Sequence, residues 1–180
     1  MESPFDVLGL PARYALDPAV LEARVRDLQR ALHPDKHTKG TPAERRVALS
    51  RAVSVNEAHR ALRDDLSRAA ALLRVRGRDA KESGGVAEPA FLMEVMELRE
   101  TLGEARAARD LERVRKLATE VGASMSASSA TLADALDAKN DLDRAEAELS
   151  KMRYYRRFLD EVALAEEDAH VLAPDPRPRG

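Results

Sequence analysis

The chain has 180 residues, 34% of them charged, with a formal net charge of −2 and no cysteine. The missing cysteines exclude disulfides, thiolate zinc sites and a Cys-ligated iron–sulfur cluster held by this chain itself, and no apolar run approaches the ~20 residues of a membrane-spanning helix. Aromatics make up only 3%, Trp is absent, and Ala, Leu, Arg and Glu dominate, so the expectation is an all-α protein of two small domains.

Charge is unevenly spread. Up to Arg76 there are 14 Lys and Arg against 10 Asp and Glu, and beyond it 16 against 22, which points to partners of different character for the two halves. Met-Glu-Ser-Pro at the start carries neither a basic, apolar signal nor an Arg- and Ser-rich transit pattern, so a cytoplasmic location is expected.

Ser3-Pro4-Phe5-Asp6 offers an N-cap serine, a proline at the first helical position and an acid in the first turn, and Gly9 supplies the stop of a short helix. A second helix starts at Asp17-Pro18 with Leu21, Val25, Leu28 and Leu32 on one face, and ends before Pro34. Thr41-Pro42-Ala43-Glu44 is a capping box that opens a third helix through Val47, Leu49, Val53, Ala58 and Leu62, antiparallel to the second. Asp64-Asp65 caps a fourth, with Leu66, Leu72 and Leu73, that stops at Gly77. Residues 77–88, GRDAKESGGVAE, are polar and glycine-bearing and read as a linker. Between Pro89 and Pro174 there is no proline, so three long helices are expected near 89–106, 109–136 and 140–167, with 168–180 as a disordered tail.

The stretch between the second and third helices holds the most concentrated chemistry. Pro34 stiffens the loop, Asp35 offers a carboxylate to a cationic group, and His33 can donate from one ring nitrogen and accept at the other. Arg26 and Arg30, four apart and off the leucine face, form a basic stripe with Arg24 and Lys36 nearby, suited to steering toward an acidic surface. Three other readings compete. One makes the loop no more than a solvated turn. Another takes His33, Asp35 and His37 as ligands of a metal-dependent hydrolase, although alternate spacing suits a strand better than a Pro-containing turn. The third reads the arginines as a nucleic-acid footprint, against which stand the net acidity and the lack of stacking aromatics. His59, on the third helix, reads as a half-buried packing residue.

A helix pair joined by a loop with His33-Pro34-Asp35 resembles the J-domain. The resemblance covers Pro4 to about Arg76 and includes Phe5-Asp6-Val7-Leu8-Gly9 and Asn56-Glu57-Ala58 with Leu62. It implies docking on a DnaK-type chaperone in its ATP state and stimulation of that chaperone's ATPase, for which the tripeptide is required. His33, Pro34, Asp35, Arg26, Arg30 and Lys36 then form the chaperone-binding surface.

In the helix after Pro89, Phe91, Val95, Leu98 and Leu102 stack as one apolar face. Leu92, Met93 and Met96 are left over on another side, with Glu97, Glu100 and Glu104. A helix needs only one apolar face, so the surplus reads either as a protein-binding patch, to which methionine adapts well, or as a face covered by a neighbouring helix. In the last helix Leu142, Ala145, Leu149, Met152 and Leu159 form the packing stripe, joined by Tyr155 and Phe158, while Tyr154 falls off it beside the patch. Residues 122–130, GASMSASSA, leave open close packing or local weakness.

A J-domain, a short linker and a helical domain carrying FLMEVMELRE together resemble the HscB (Hsc20) family of co-chaperones, over the chain to about Glu167. The resemblance implies delivery of the iron–sulfur scaffold protein IscU to the chaperone HscA, with the scaffold held by Leu92, Met93, Met96, Glu97, Glu100 and Glu104, and by Tyr154. The family often has Phe at that last position, in a Lys-Leu-Arg-Phe context matching Lys151-Met152-Arg153-Tyr154. A second departure is Leu32, where an aromatic commonly precedes the tripeptide. The expectation is a chain with no active site, metal or cofactor of its own and no membrane or nucleic-acid partner, divided into domains at 1–76 and 89–167. A different client for the C-terminal helices remains the alternative.

Overall fold

A computed structural model describes residues 2–37, 40–79 and 88–171, all regular elements of which are helical. Two units form, one from residues 1–82 with 132–146, the other from 83–131 with 147–180.

The first unit starts with α1 (Pro4–Leu8), whose capping box closes reciprocally between Ser3 and Asp6. That hydrogen bonding holds the Asp6 carboxyl below its ordinary range. Gly9 ends the helix with φ 61°, a left-handed conformation that glycine adopts without strain. Asp17 caps α2 (Pro18–Ala31), and a second reciprocal box, Thr41 with Glu44, starts α3 (Pro42–Arg63). Asp64 then caps α4 (Asp65–Val75). Helix α3 packs against α1, α2 and α4, and Gln29–Asn56 and His59–Glu22 side-chain contacts at 3.0 and 2.6 Å tie α2 to α3. His59 is half-buried there, as expected.

Helix α3 runs through all five apolar positions expected of it but buries only part of them. Val47, Leu49 and Val53 are exposed, whereas Ala48, Val55, Ala58 and Leu62 are buried. At 100° per residue the buried set spans one stripe, while Leu49 and Val53 fall on the opposite side. Arg68, on α4, serves as a hub: it donates to the Tyr14 and Leu62 carbonyls, pairs with Asp65, and lies 4.9 Å from the Tyr14 ring centroid.

The second unit contains α5 (Pro89–Ala108) and most of α6 (Leu111–Ala133) and α7 (Leu142–Val171). Asp110 and Asp141 accept from Arg113 and Arg144 backbone N–H groups and so cap α6 and α7. Phe91, Leu102, Ala105, Val114, Leu117, Val121, Tyr155, Phe158 and Val162 form its core. The small-residue segment of α6 is continuous helix, in which Ser126 and Thr131 bond back to carbonyls four residues earlier.

The boundaries differ from the sequence reading in three places. Residues 132–146, expected in the C-terminal domain, belong with the first unit, because a π-helical turn (Asp134–Lys139) brings polar groups to it. Asp137 accepts from the backbone N–H of Tyr14 and of Ala15, both at 2.8 Å, and Arg76 donates to the Leu136 carbonyl and to Asn140. Arg78, expected in the linker, pairs with Asp143 at 2.5 Å; residues 80–87 lie outside the described residues. Helix α7 continues to Val171, into the expected tail, of which 172–180 lie outside the described residues.

Asp137→Ala is expected to lower stability by about 2 kcal/mol in urea denaturation, since it removes two hydrogen bonds to a charged acceptor and leaves the partly buried Tyr14 N–H without it. An unchanged midpoint would show that the bonds are replaced by water.

Candidate functional site

Two surfaces were singled out by sequence, one on each unit. On the first, α2 ends at Ala31 and the chain turns through a short 3-10 helix, Pro34–His37. The Lys36 N–H donates to the His33 carbonyl at 2.9 Å. Asp35 N–H donates to His33 Nδ1 at 3.2 Å, whereas the Asp35 carboxylate stands 3.5 Å away, beyond hydrogen-bond reach. An accepting Nδ1 leaves the proton of the neutral ring on Nε2, so the imidazole has a donor to present outward.

The His33 side chain is 59% exposed, and Asp35 and Lys36 are exposed beside it. Arg26, Gln29, Arg30 and His33 line one shallow groove of about 450 Å³. The basic stripe is narrower than its sequence suggests. Arg30 pairs with Asp27 at 2.5 Å, and Arg24 turns away to donate to the Leu8 carbonyl at 2.6 Å, where it crowds Gly9. Arg26 and Lys36 stay at the loop's margins, both exposed. Pro34 opens the turn, and the His37 side chain lies outside what is described. Among the described residues, no group of three His, Asp or Glu side chains is arranged to hold a metal ion, and no helix is long and apolar enough to cross a membrane.

On the second unit, α5 buries Phe91 and Leu102 and half-buries Val95 and Leu98. Leu92, Met93 and Met96 are 50%, 63% and 70% exposed, so among the described residues no neighbouring helix covers them. Glu97, Glu100 and Glu104 are exposed as well, and Glu104 pairs with Arg113 at 2.7 Å. The surplus apolar residues of α5 therefore form an open face with an acidic margin.

Tyr154 does not stand apart from the core. It is half-buried, edge-on to Phe91 at 5.7 Å, and its hydroxyl lies 3.4 Å from the Val95 carbonyl. Burial pushes its hydroxyl above the ordinary tyrosine pKa. Tyr155 is buried and donates to Glu94 at 2.8 Å; burial, with that carboxylate, raises its pKa well above the ordinary tyrosine value. Sequence reasoning missed Arg99, whose guanidinium lies 5.8 Å from the Tyr154 ring centroid. Its spacing of seven from Leu92 and three from Met96 was the available signal.

Comparison with known proteins gives a consistent result. A family model described as the HSCB C-terminal oligomerisation domain matches residues 87–163. Co-chaperone protein HscB homologs of Burkholderia multivorans and Burkholderia cenocepacia are 40% and 38% identical over 162 residues, spanning 89% of this chain and 92% of each relative. The chaperone HscB from Vibrio cholerae superposes with a TM-score of 0.78 at 30% identity, covering 93% of this chain and 99% of that one. Human co-chaperone HscB gives 0.82 at 26% identity, over 92% of this chain and 83% of that one. With a His-Pro-Asp turn between antiparallel helices and an open apolar face on the helical domain that follows, the chain belongs to the HscB family of co-chaperones, J-domain proteins of iron–sulfur cluster assembly.

Proposed function

We propose that this protein stimulates the ATPase of a dedicated, HscA-like chaperone of the DnaK type and delivers to it an IscU-like iron–sulfur scaffold. The observation that carries the reading is the open Leu92–Met93–Met96 face, since a J-domain alone would account for ATPase stimulation but not for a client. The His33–Asp35 turn, with Arg26, Arg30 and Lys36, engages the chaperone's ATP state. The acidic, apolar face of α5, with Tyr154 at its side, holds the scaffold. Carrying both surfaces on one chain raises the local concentration of scaffold at the chaperone without any contact between the two partners being needed first. The protein contributes no reacting group: hydrolysis belongs to the chaperone's nucleotide site, and any cluster is cargo of the scaffold.

The test is steady-state ATPase of the cognate chaperone with this protein and the scaffold, added separately and together. Each alone is expected to stimulate modestly and the pair more than additively. Stimulation by this protein that the scaffold does not enhance, together with failure of the scaffold to co-purify with it, would assign the helical domain to another client.

A further inference from the structure

The exposed side of α5 is two rows rather than one patch. Leu92, Met96, Arg99 and Gly103 follow one another at spacings of four, three and four, and Met93, Glu97, Glu100 and Glu104 repeat the same spacing one residue on. At 3.6 residues per turn these are adjacent parallel rows, with the first lying between the second and the buried face of Phe91, Val95, Leu98 and Leu102. Three acids thus border the apolar centre on one side and the cation of Arg99 on the other.

That cation is held in place. The Arg99 guanidinium lies over the Tyr154 ring at 5.8 Å, and the Glu161 carboxylate sits at 3.9 Å, the outer limit of an ion pair. The Arg99 side chain is nevertheless 61% exposed. The guanidinium also donates a hydrogen bond to the Tyr154 hydroxyl, and the N–H groups not so engaged can receive a carboxylate, which matches their fork geometry. Arg157, exposed on α7 and close enough for its charge to act on the Tyr154 hydroxyl, adds to the positive side.

We propose that Arg99 is a specificity-determining contact of the scaffold site: stacked on Tyr154 next to Leu92 and Met96, it receives a carboxylate of the client while the opposite acidic row faces the client's basic groups. The charges then differ across the face, so the partner can dock in one direction and a reversed pose sets like charges together. This rests on the assignment of the scaffold to α5.

The test is the dissociation constant of the full-length protein with the purified scaffold, at low and high salt. Arg99→Leu, which keeps an apolar stem, is expected to weaken binding about tenfold at low salt, the worth of one charge-assisted hydrogen bond. Arg99→Glu is expected to weaken it further through repulsion, and Arg99→Lys less than either, since it keeps charge without the planar fork. The difference between wild type and Arg99→Leu should shrink at high salt. Wild-type affinity for Arg99→Leu, with binding lost in the Leu92→Ala, Met93→Ala, Met96→Ala variant, would overturn this inference alone. Wild-type affinity for that triple variant would overturn the α5 assignment beneath it. A loss equal at low and high salt would reduce Arg99 to a packing support for Tyr154 and would also overturn the carboxylate contact.

Discussion

His33→Gln is expected to abolish stimulation of the chaperone's ATPase, lowering it at least ~10-fold, the equivalent of about 1.4 kcal/mol in barrier or affinity. The fold should be untouched, because the side chain is 59% exposed and its hydrogen bond is the local one from Asp35 N–H to Nδ1. The expected loss comes from presentation. With Nδ1 accepting inside the turn, the rigid ring presents Nε2–H in a fixed direction, whereas the Gln amide adds a rotatable bond and must give up conformational freedom to present its donor. Scaffold affinity should match wild type. Equal stimulation by both proteins, at saturating concentration and with unchanged thermal unfolding, would remove the turn from the mechanism.

The variant combining Leu92→Ala, Met93→Ala and Met96→Ala is expected to do the reverse: ATPase stimulation in the absence of scaffold is kept, and scaffold affinity falls by about 100-fold. Each side chain is at least half exposed in the unbound protein, so truncation opens no cavity in the core, and alanine is the best helix former. The cost appears only on binding. Covering the exposed part of each residue is worth about 1 kcal/mol, and about 3 kcal/mol for the three corresponds to that loss. Isothermal titration would read it directly, and a less negative heat-capacity change on binding should accompany it. Unfolding at a lower temperature than wild type would mean that the face is packed within this chain after all.

Much of the first unit was legible because its signals are local. Ser3 with Asp6, Thr41 with Glu44, and Gly9 each act within one turn, and all three formed as their residue types require. The open face on α5 was legible for a related reason: a helix with one buried face has no use for Leu92, Met93 and Met96 on another. What escaped depended on partners far along the chain. Arg24 reads as part of a basic stripe until α1 is folded and its Leu8 carbonyl is there to be capped. Asp137 meets the backbone of Tyr14 and Ala15 across more than a hundred residues, a pairing that no periodicity encodes. Which apolar residues of α3 are buried was likewise left open: Val47, Leu49 and Val53 lie on the helix as expected, and only the packing of α1, α2 and α4 against it leaves them exposed. Tyr154 was half right: its register beside the patch is correct, but Phe91 draws it into the edge of the core.

The membership of residues 132–146 in the first unit changes what counts as an exchangeable module in this protein. A cut anywhere in 79–88 looks clean on the linear chain, yet it separates Tyr14, Ala15, Arg76 and Arg78 from Asp137, Leu136 and Asp143. Recombination between relatives at that point would pair one parent's anchors with the other's hairpin turn. The N-terminal segment and the π-helical turn are therefore one unit interrupted by another, and because Asp137 takes backbone N–H groups, this contact makes no demand on the side chains of the 14–15 segment but excludes a proline there.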